Sequence, residues 1–518
     1  MVSPVDASGR FHQQVLARLQ DAPDQVAVVE GERRITRRAL YDDACRLGSA
    51  LRQRGVPSGA AIAFQLPNWV EACVLNLAAV LYGFRLVPLL PMYRESELTT
   101  ILQACRPAAL FLPAEFRGLS YPDLYGRLAS VPVPVDSVFV VRGSDARYGA
   151  YEDLLTAVSH LAEPTPASTD AVKTVLYTSG STGRPKGVVH TDRSISALID
   201  CVRDFWGLTP ADVALVPSPV AHIGGSLYAF DFPWAIGMRA VLMDTWVPER
   251  AVDLIEREGV TFCAGATPFL DGLLKAAAAR NSRLPSLRRF ICGGASVPPG
   301  LVHQASERFT ACTVSRAYGS TEVPVICPGV RTRADALFGA TTDGECAADV
   351  RILGEDGRIV PDGEPGEIVV RADRMFQGYL NPEDNADAFT DDGYFRMGDI
   401  GRRVAGRFIE ITGRKKDLII RLGENISPLE IENLLVQHPA VRQVSVVGIP
   451  DARTGEAALA CVVLHEGAQF TLDALRDFLA QQGLARQKFP EYLRILPALP
   501  TNAIGKVLKR ELQIIGRT

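Results

Sequence analysis

A chain of 518 residues exceeds one ordinary core, since domains usually hold roughly 100–200 residues, so two or more folded units are expected. Hydrophobic residues at 47% and charged residues at 22% describe a globular protein that folds throughout and exclude extended disorder. A net charge of −4, from 55 basic and 59 acidic side chains, is too balanced for capture by nucleic acid or an anionic membrane, which leaves small molecules as the expected partners.

The amino terminus, MVSPVDASGRFHQQV, lacks the basic-then-apolar pattern of a signal peptide, and Phe11, Val15, Leu16 and Leu19 recur at helical spacing. VAVVEGERRIT predicts strand, turn and strand, and residues 37–55 predict a helix closed by glycine. Short β-rich segments such as AIAFQL and ALFLP then alternate with helices such as WVEACVLNLAAVLYG, the rhythm of an α/β domain built on mostly parallel sheet. After Asp399 the texture changes: a charged GRKKD follows a short β-like stretch, and VRQVSVVGIP, ALACVVLHEG, LDALRDFLAQQ and YLRILPALP predict a small α+β unit with its own sheet. No apolar run reaches the ~20 residues of a membrane span. The ten cysteines include no CxxC pair, so neither a zinc site nor a redox pair is suggested; several lie in apolar runs, which points to reduced thiols and a cytoplasmic location.

Residues 175–190, VLYTSGSTGRPKGVVH, carry the most chemistry. A β-like VLY opens into a loop with hydroxyls at Thr178, Ser179, Ser181 and Thr182, glycines at Gly180, Gly183 and Gly187, and a cation at Lys186. Glycines let backbone amides turn inward, hydroxyls donate short bonds and lysine supplies a point charge, a combination suited to a polyphosphate. The loop is not a Walker A motif, because Pro185 precedes the lysine and no Ser or Thr follows it.

TSGSTGRPKG resembles the phosphate-loop signature of the adenylate-forming superfamily: acyl-CoA synthetases, luciferases and peptide-synthetase adenylation domains. AYGSTE at 317–322, GYFRMGDIG at 393–401, GRKKDLIIRLGENISPLEIE at 413–432 and PTNAIGKVLKREL at 500–512 are similar to that family's later motifs, in order, over nearly the whole chain. The resemblance implies an α/β fold with a large amino-terminal domain of mixed, mostly parallel sheets (1–413), a hinge (414–416) and a small mobile α+β domain (417–518). It implies ATP, Mg2+ and coenzyme A as cosubstrates, and a carboxylic acid activated first to acyl-AMP and then to acyl-CoA.

By the same resemblance, Tyr318 and Gly319 flank the adenine with Gly294, Ala295 and Ser296 on its other side, Thr321 serves a phosphate oxygen and Glu322 serves Mg2+. Asp399 accepts the ribose hydroxyls, with Arg414 as its basic companion. Lys506 occupies the position of the family's catalytic lysine, whose ammonium bridges attacking carboxylate and phosphate. Lys506 lies beyond the proposed boundary, so the small domain must close over the large one to deliver it. Lys416 falls at the hinge position, and Gly423 and Glu424 fall where a channel admits the coenzyme A thiol.

His222 resembles the family's residue at the carboxylate end of the acyl pocket, whose walls map onto Ile223, Gly224, Gly293, Ala317, Gly319 and Pro324. These are small and uncharged, which implies a roomy pocket for a bulky apolar acid, in secondary or fatty acid metabolism. Met397, Leu422 and Leu90 depart from commoner family residues without removing a charged group. Three rival readings stand beside this one: transfer to a separate carrier protein, activity in one half-reaction alone, and a catalytically dead acyl or nucleotide sensor. Monomer and homodimer both remain open.

Overall fold

The computed structural model describes residues 9–128, 133–158, 160–179, 184–294, 297–421, 424–451, 453–501 and 507–516. Two seven-stranded sheets organise the first part of the chain. In one, Thr313–Ala317, Arg289–Gly293, Phe262–Gly265, Val213–Val216, Arg239–Leu242 and Val26–Glu30 lie parallel, and antiparallel Arg33–Thr36 closes the edge. In the other, Pro185–Thr191, Val172–Ser179, Arg85–Pro88, Ala61–Phe64, Ala109–Pro113, Val138–Val141 and Gly149–Ala150 follow in that order, the first pair antiparallel and the rest parallel. Strands reading AIAF, VALV and VFVV are buried at every position, as parallel strands covered on both faces must be.

Helix Val70–Tyr82 is buried at all positions but Val80 and ends on Gly83 in the left-handed region, φ 68°. Its neighbour Arg37–Gln53 begins on Thr36, whose hydroxyl accepts from Ala39 N, and stops two residues before the predicted glycine. The two helices approach at Gly48: a Cβ there would lie 2.0 Å from the Tyr82 ring. That ring is fixed in turn, its hydroxyl donating to the Ala162 carbonyl at 2.8 Å beside Ser49 Oγ at 3.1 Å. Just before helix Val70–Tyr82, the Asn68 amide spans the carbonyls of Val216, Ser218 and Met243 at 2.9–3.1 Å and accepts from Val220 N, which anchors the loop leading to His222.

A four-stranded antiparallel sheet follows, Asp349–Leu353, Gly366–Arg371, Phe395–Val404 and Phe408–Arg414. After a 3-10 turn at Lys415–Asp417 the last sheet begins: Glu424–Ile426, Ile419–Arg421, Gly455–Leu464 and Val441–Asp451, with Tyr492–Ile495 added parallel to Gly455–Leu464. It has its own core of Ile419, Ile431, Val446, Val462, Leu475 and Leu479. The two units touch where the Ser427 hydroxyl donates to the Thr412 carbonyl, next to the turn. The α/β architecture with a separate carboxyl-terminal unit expected from the sequence is the one present. All ten cysteines are free thiols, and among the described residues no helix is long and apolar enough to cross a membrane.

Gly48→Ala adds roughly 1 kcal/mol of helix propensity. The overlap with Tyr82 outweighs that gain, and a net loss of about 1–3 kcal/mol is expected as a lower denaturation midpoint, with activity per folded molecule unchanged. A raised midpoint would contradict this packing.

Candidate active site

Strands Val172–Ser179 and Pro185–Thr191 form a hairpin with Thr178 opposite Lys186 and Ser179 opposite Pro185. Its tip, Gly180, Ser181, Thr182 and Gly183, lies outside the described residues, as do Ala295, Ser296, Gly423 and Lys506. A third extended segment runs beside the hairpin: Val189 N donates to the Gly378 carbonyl at 3.1 Å and Leu380 N to the Gly187 carbonyl at 2.7 Å. This segment sets Tyr379 beside Lys186, whose ammonium lies 4.8 Å from the ring centroid and 3.4 Å from Asp384 Oδ1. Arg184 reaches the same carboxylate at 3.2 Å.

The Thr321–Glu322 turn is held from two sides. The Tyr379 hydroxyl donates to Glu322 Oε1 at 2.8 Å, and His190 Nε2 lies 2.7 Å from the Thr321 carbonyl. A carbonyl only accepts, so His190 carries its proton on Nε2, which leaves Nδ1 to accept from Ser194 Oγ at 3.1 Å. Complete burial keeps this imidazole neutral, its pKa pushed down to about 4. Burial and the neighbouring Glu322 carboxylate push the Tyr379 phenol up, so it keeps its proton as a donor.

Tyr318, at the end of strand Thr313–Ala317, donates its hydroxyl to Asp399 Oδ2 at 2.7 Å, and Arg414 Nε lies 3.0 Å from Asp399 Oδ1. Asp399 and Arg414 are cross-strand partners, so sheet register presents them together. Each carboxylate oxygen keeps a further lone pair, which leaves Asp399 able to accept from a diol. Thr321 and Glu322 follow Tyr318 in the same turn, so the two constellations share one short segment; Gly294, φ 84°, directly follows the neighbouring strand Arg289–Gly293.

His222 caps the helical turn Ile223–Ser226, its Nδ1 accepting from Gly224 N at 3.4 Å, and burial lowers its pKa. The chain then passes through a π-turn, Leu227–Asp231, before Phe232–Ala235. Such turns often mark functional sites. Here Asp231 pairs with Lys173, both buried, in the strand that feeds the phosphate hairpin. Gly293 and Ala317 are cross-strand partners; a Cβ on Gly293 would lie 2.6 Å from the Ala317 carbonyl oxygen, and one on Gly319 2.5 Å from Val325 N. At these two positions backbone approach itself demands glycine, so their small size does not measure a ligand cavity as the sequence reading supposed. Pro324 is buried and its carbonyl accepts from Arg374 Nε at 3.2 Å. Val325 beside it has φ 51°, a strained conformation for a β-branched residue.

At the turn between the sheets, Lys415 pairs with Glu367 at 2.9 Å. Lys416 is exposed, and its pKa is lowered by partial desolvation, then by Arg414, while Asp417 and Asp399 oppose. Glu424 opens the strand Glu424–Ile426 and is exposed.

No group of three or more His, Cys, Asp or Glu gathers to hold a metal among the described residues. One hard carboxylate at Glu322, held by Tyr379 on whose ring Lys186 sits, still fits Mg2+, which takes one or two carboxylates and completes its shell from substrate phosphates and water. Sequence reading missed His190, Tyr379, Asp384 and the Lys173–Asp231 pair. The available signals were a lysine in the apolar strand VKTVLY and an aspartate in the apolar run LYAFDFPWA.

His190 has a folded pKa below its ordinary value, so the unfolded chain takes up the proton first and stability falls as pH drops from about 6.5 towards about 4. The loss is on the order of 3 kcal/mol. His190→Gln is expected to flatten this part of the stability–pH profile in thermal melts; an unchanged slope would show that His190 does not titrate this way.

A family model described as AMP-binding enzyme matches residues 15–380, and one described as AMP-binding enzyme C-terminal domain matches residues 430–506. The medium-chain fatty-acid–CoA ligase of Escherichia coli (strain K12) is 34% identical, with 97% of this chain and 89% of that protein aligned. A feruloyl-CoA synthase from Amycolatopsis sp is 32% identical over 96% of this chain and 97% of its own length. ATP-bound MatB from Rhodopseudomonas palustris superposes with a TM-score of 0.86 at 26% identity, covering 98% of this chain and 99% of that one. With both domains matched in order and relatives aligned over nearly their full length, the chain belongs to the AMP-binding enzyme family, in its acyl-CoA ligase branch.

Proposed function

We propose that this protein couples ATP to the activation of a bulky hydrophobic carboxylic acid, forming acyl-AMP and pyrophosphate and then passing the acyl group to the thiol of coenzyme A. The observation that carries this reading is one turn, 317–322, that joins the Tyr318–Asp399–Arg414 cluster to Glu322 and the phosphate hairpin. Nucleotide sugar and polyphosphate ends are thereby served from a single segment. Relatives named for a medium-chain fatty acid, a feruloyl group and indoleacetate support a bulky apolar acid over a small or zwitterionic one.

In this reading Asp399 and Arg414 hold the ribose, the Tyr318 ring and the Gly294–Ser296 backbone sandwich the base, and Thr178, Ser179, Thr182, Lys186 and Thr321 hold phosphates. Glu322 holds Mg2+, which supplies charge neutralisation at the phosphates. His222, with Nδ1 engaged by Gly224 N–H, offers Nε2–H to the acyl carboxylate. A carboxylate oxygen then attacks the α-phosphorus; the new O–P bond forms as the α–β bridge breaks and pyrophosphate leaves. Lys506 bears the countercharge. Domains at 1–413 and 417–518 then turn about 414–416, and the thiol enters past Gly423 and Glu424, loses its proton and displaces AMP. The free, mostly buried thiols suit a reducing cytoplasm.

Lys506→Ala is expected to lower pyrophosphate exchange by about 10²–10³-fold while thioester formation from supplied acyl-adenylate persists. Gly423→Leu should show the reverse split, and equal loss of both half-reactions in either variant would contradict the assignment. Incubation with ATP, Mg2+, coenzyme A and a mixed acid library, read by mass spectrometry, should yield acyl-CoA from aryl, alicyclic or medium-to-long fatty acids. Strong selectivity for acetate or an amino acid would overturn the substrate class.

A further inference from the structure

Arg184 and Lys186, where the returning strand of the hairpin begins, both spend their charge on one acid. Lys186 Nζ lies 3.4 Å and Arg184 Nη2 3.2 Å from Asp384 Oδ1. Asp384 is well placed to hold them: its side chain is only 13% exposed, and it sits in the 3-10 turn Pro382–Asn385. The next residue, Asn385, accepts from Tyr379 N at 2.8 Å, which ties that turn to the segment lying along the hairpin. Lys186 is thereby held between the Tyr379 ring and a carboxylate, with 19% of its side chain exposed. A lysine that serves a polyphosphate would leave this carboxylate when the polyphosphate arrives. The contacts suit such an exchange: at 3.2–3.4 Å they are longer than the 2.7–2.9 Å of tight charge-assisted bonds.

We infer that Asp384 is a positioning residue that sets the affinity for polyphosphate, acting as a resident anion for Lys186 and Arg184 until the β- and γ-phosphates displace it. The inference rests on the nucleotide-site reading above. It follows from like-charge competition: an acid that stabilises the cations in the empty site opposes a second anion at the same cations, and removing it favours the ligand. An Asp384 that merely oriented Lys186 for phosphate would act with the opposite sign, so the direction of the effect decides between them. The competition touches only the outer phosphates, and a ligand without them should not register it.

Binding of ATP·Mg2+, pyrophosphate·Mg2+ and adenosine to the full chain, measured by calorimetry and competition, tests this. Asp384→Asn is expected to tighten ATP and pyrophosphate by about threefold to tenfold and leave adenosine unchanged. Asp384→Glu should restore wild-type values, and the gain should shrink when Lys186→Ala is added. Asp384→Ser serves as a second neutral variant, with thermal melts confirming that each protein folds. ATP binding that is unchanged or weaker in the folded neutral variants overturns the inference. Wild-type protein that binds no ATP·Mg2+ would instead overturn the nucleotide-site reading.

Discussion

Asp399 is 4% exposed, and both its oxygens are engaged, one by Tyr318 and the other by Arg414, which offsets the cost of burying them. Three parts of the molecule meet in that arrangement. Tyr318 directly follows the edge strand Thr313–Ala317 of one seven-stranded sheet, Asp399 lies within the four-stranded sheet, and Arg414 is the last residue of that sheet before the turn at Lys415–Asp417. A shift of Arg414 therefore cannot leave Asp399 or Tyr318 untouched. The electrostatic influence of Asp399 on Lys416 extends the same unit by two residues into the turn. In the proposed function, a nucleotide that bonds Asp399 and a rotation that begins at the turn would act on shared groups, which would give the two a common physical origin.

Much of the architecture was legible because it rests on local rules. Near-continuous apolar runs marked the parallel strands, and Gly83 ended its helix for want of a Cβ. The change of texture after Asp399 coincides with the end of one sheet at Arg414 and the start of the next at Ile419. The sequence singled out Tyr318, Asp399 and Arg414 in three separate motifs; that they bond one another became visible only in the structure, where the register of Phe395–Val404 with Phe408–Arg414 sets Asp399 beside Arg414.

What stayed hidden depends on residues far apart in the chain. His190 reaches the Thr321 carbonyl across 131 positions, Tyr379 reaches Glu322 across 57 and Lys173 reaches Asp231 across 58. Single-sequence periodicity carries no information about such pairs. The glycines were misjudged for a related reason. Gly293 and Gly319 look small in a list of pocket residues, yet what crowds them is backbone, the Ala317 carbonyl and the Val325 amide, and backbone proximity leaves no trace in composition.

The charges around the site show a consistent pattern: Glu322 accepts from Tyr379, Asp384 faces Lys186 and Arg184, Asp399 faces Arg414, and Asp231 faces Lys173. Each acid thus meets a donor or a cation in a partly desolvated region, and each cation already has a partner. It also raises the threshold for any incoming anion, which must replace an interaction already made. A polyphosphate meets that requirement because it brings several negative oxygens and its own divalent cation, whereas a monovalent carboxylate or a lone phosphate exchanges one weak pair for another. His222 stands apart from these pairs: its Nδ1 accepts from the backbone amide of Gly224, and burial lowers its pKa. In the proposed function, the acyl chain would there be selected by apolar contact and not by competition among ions.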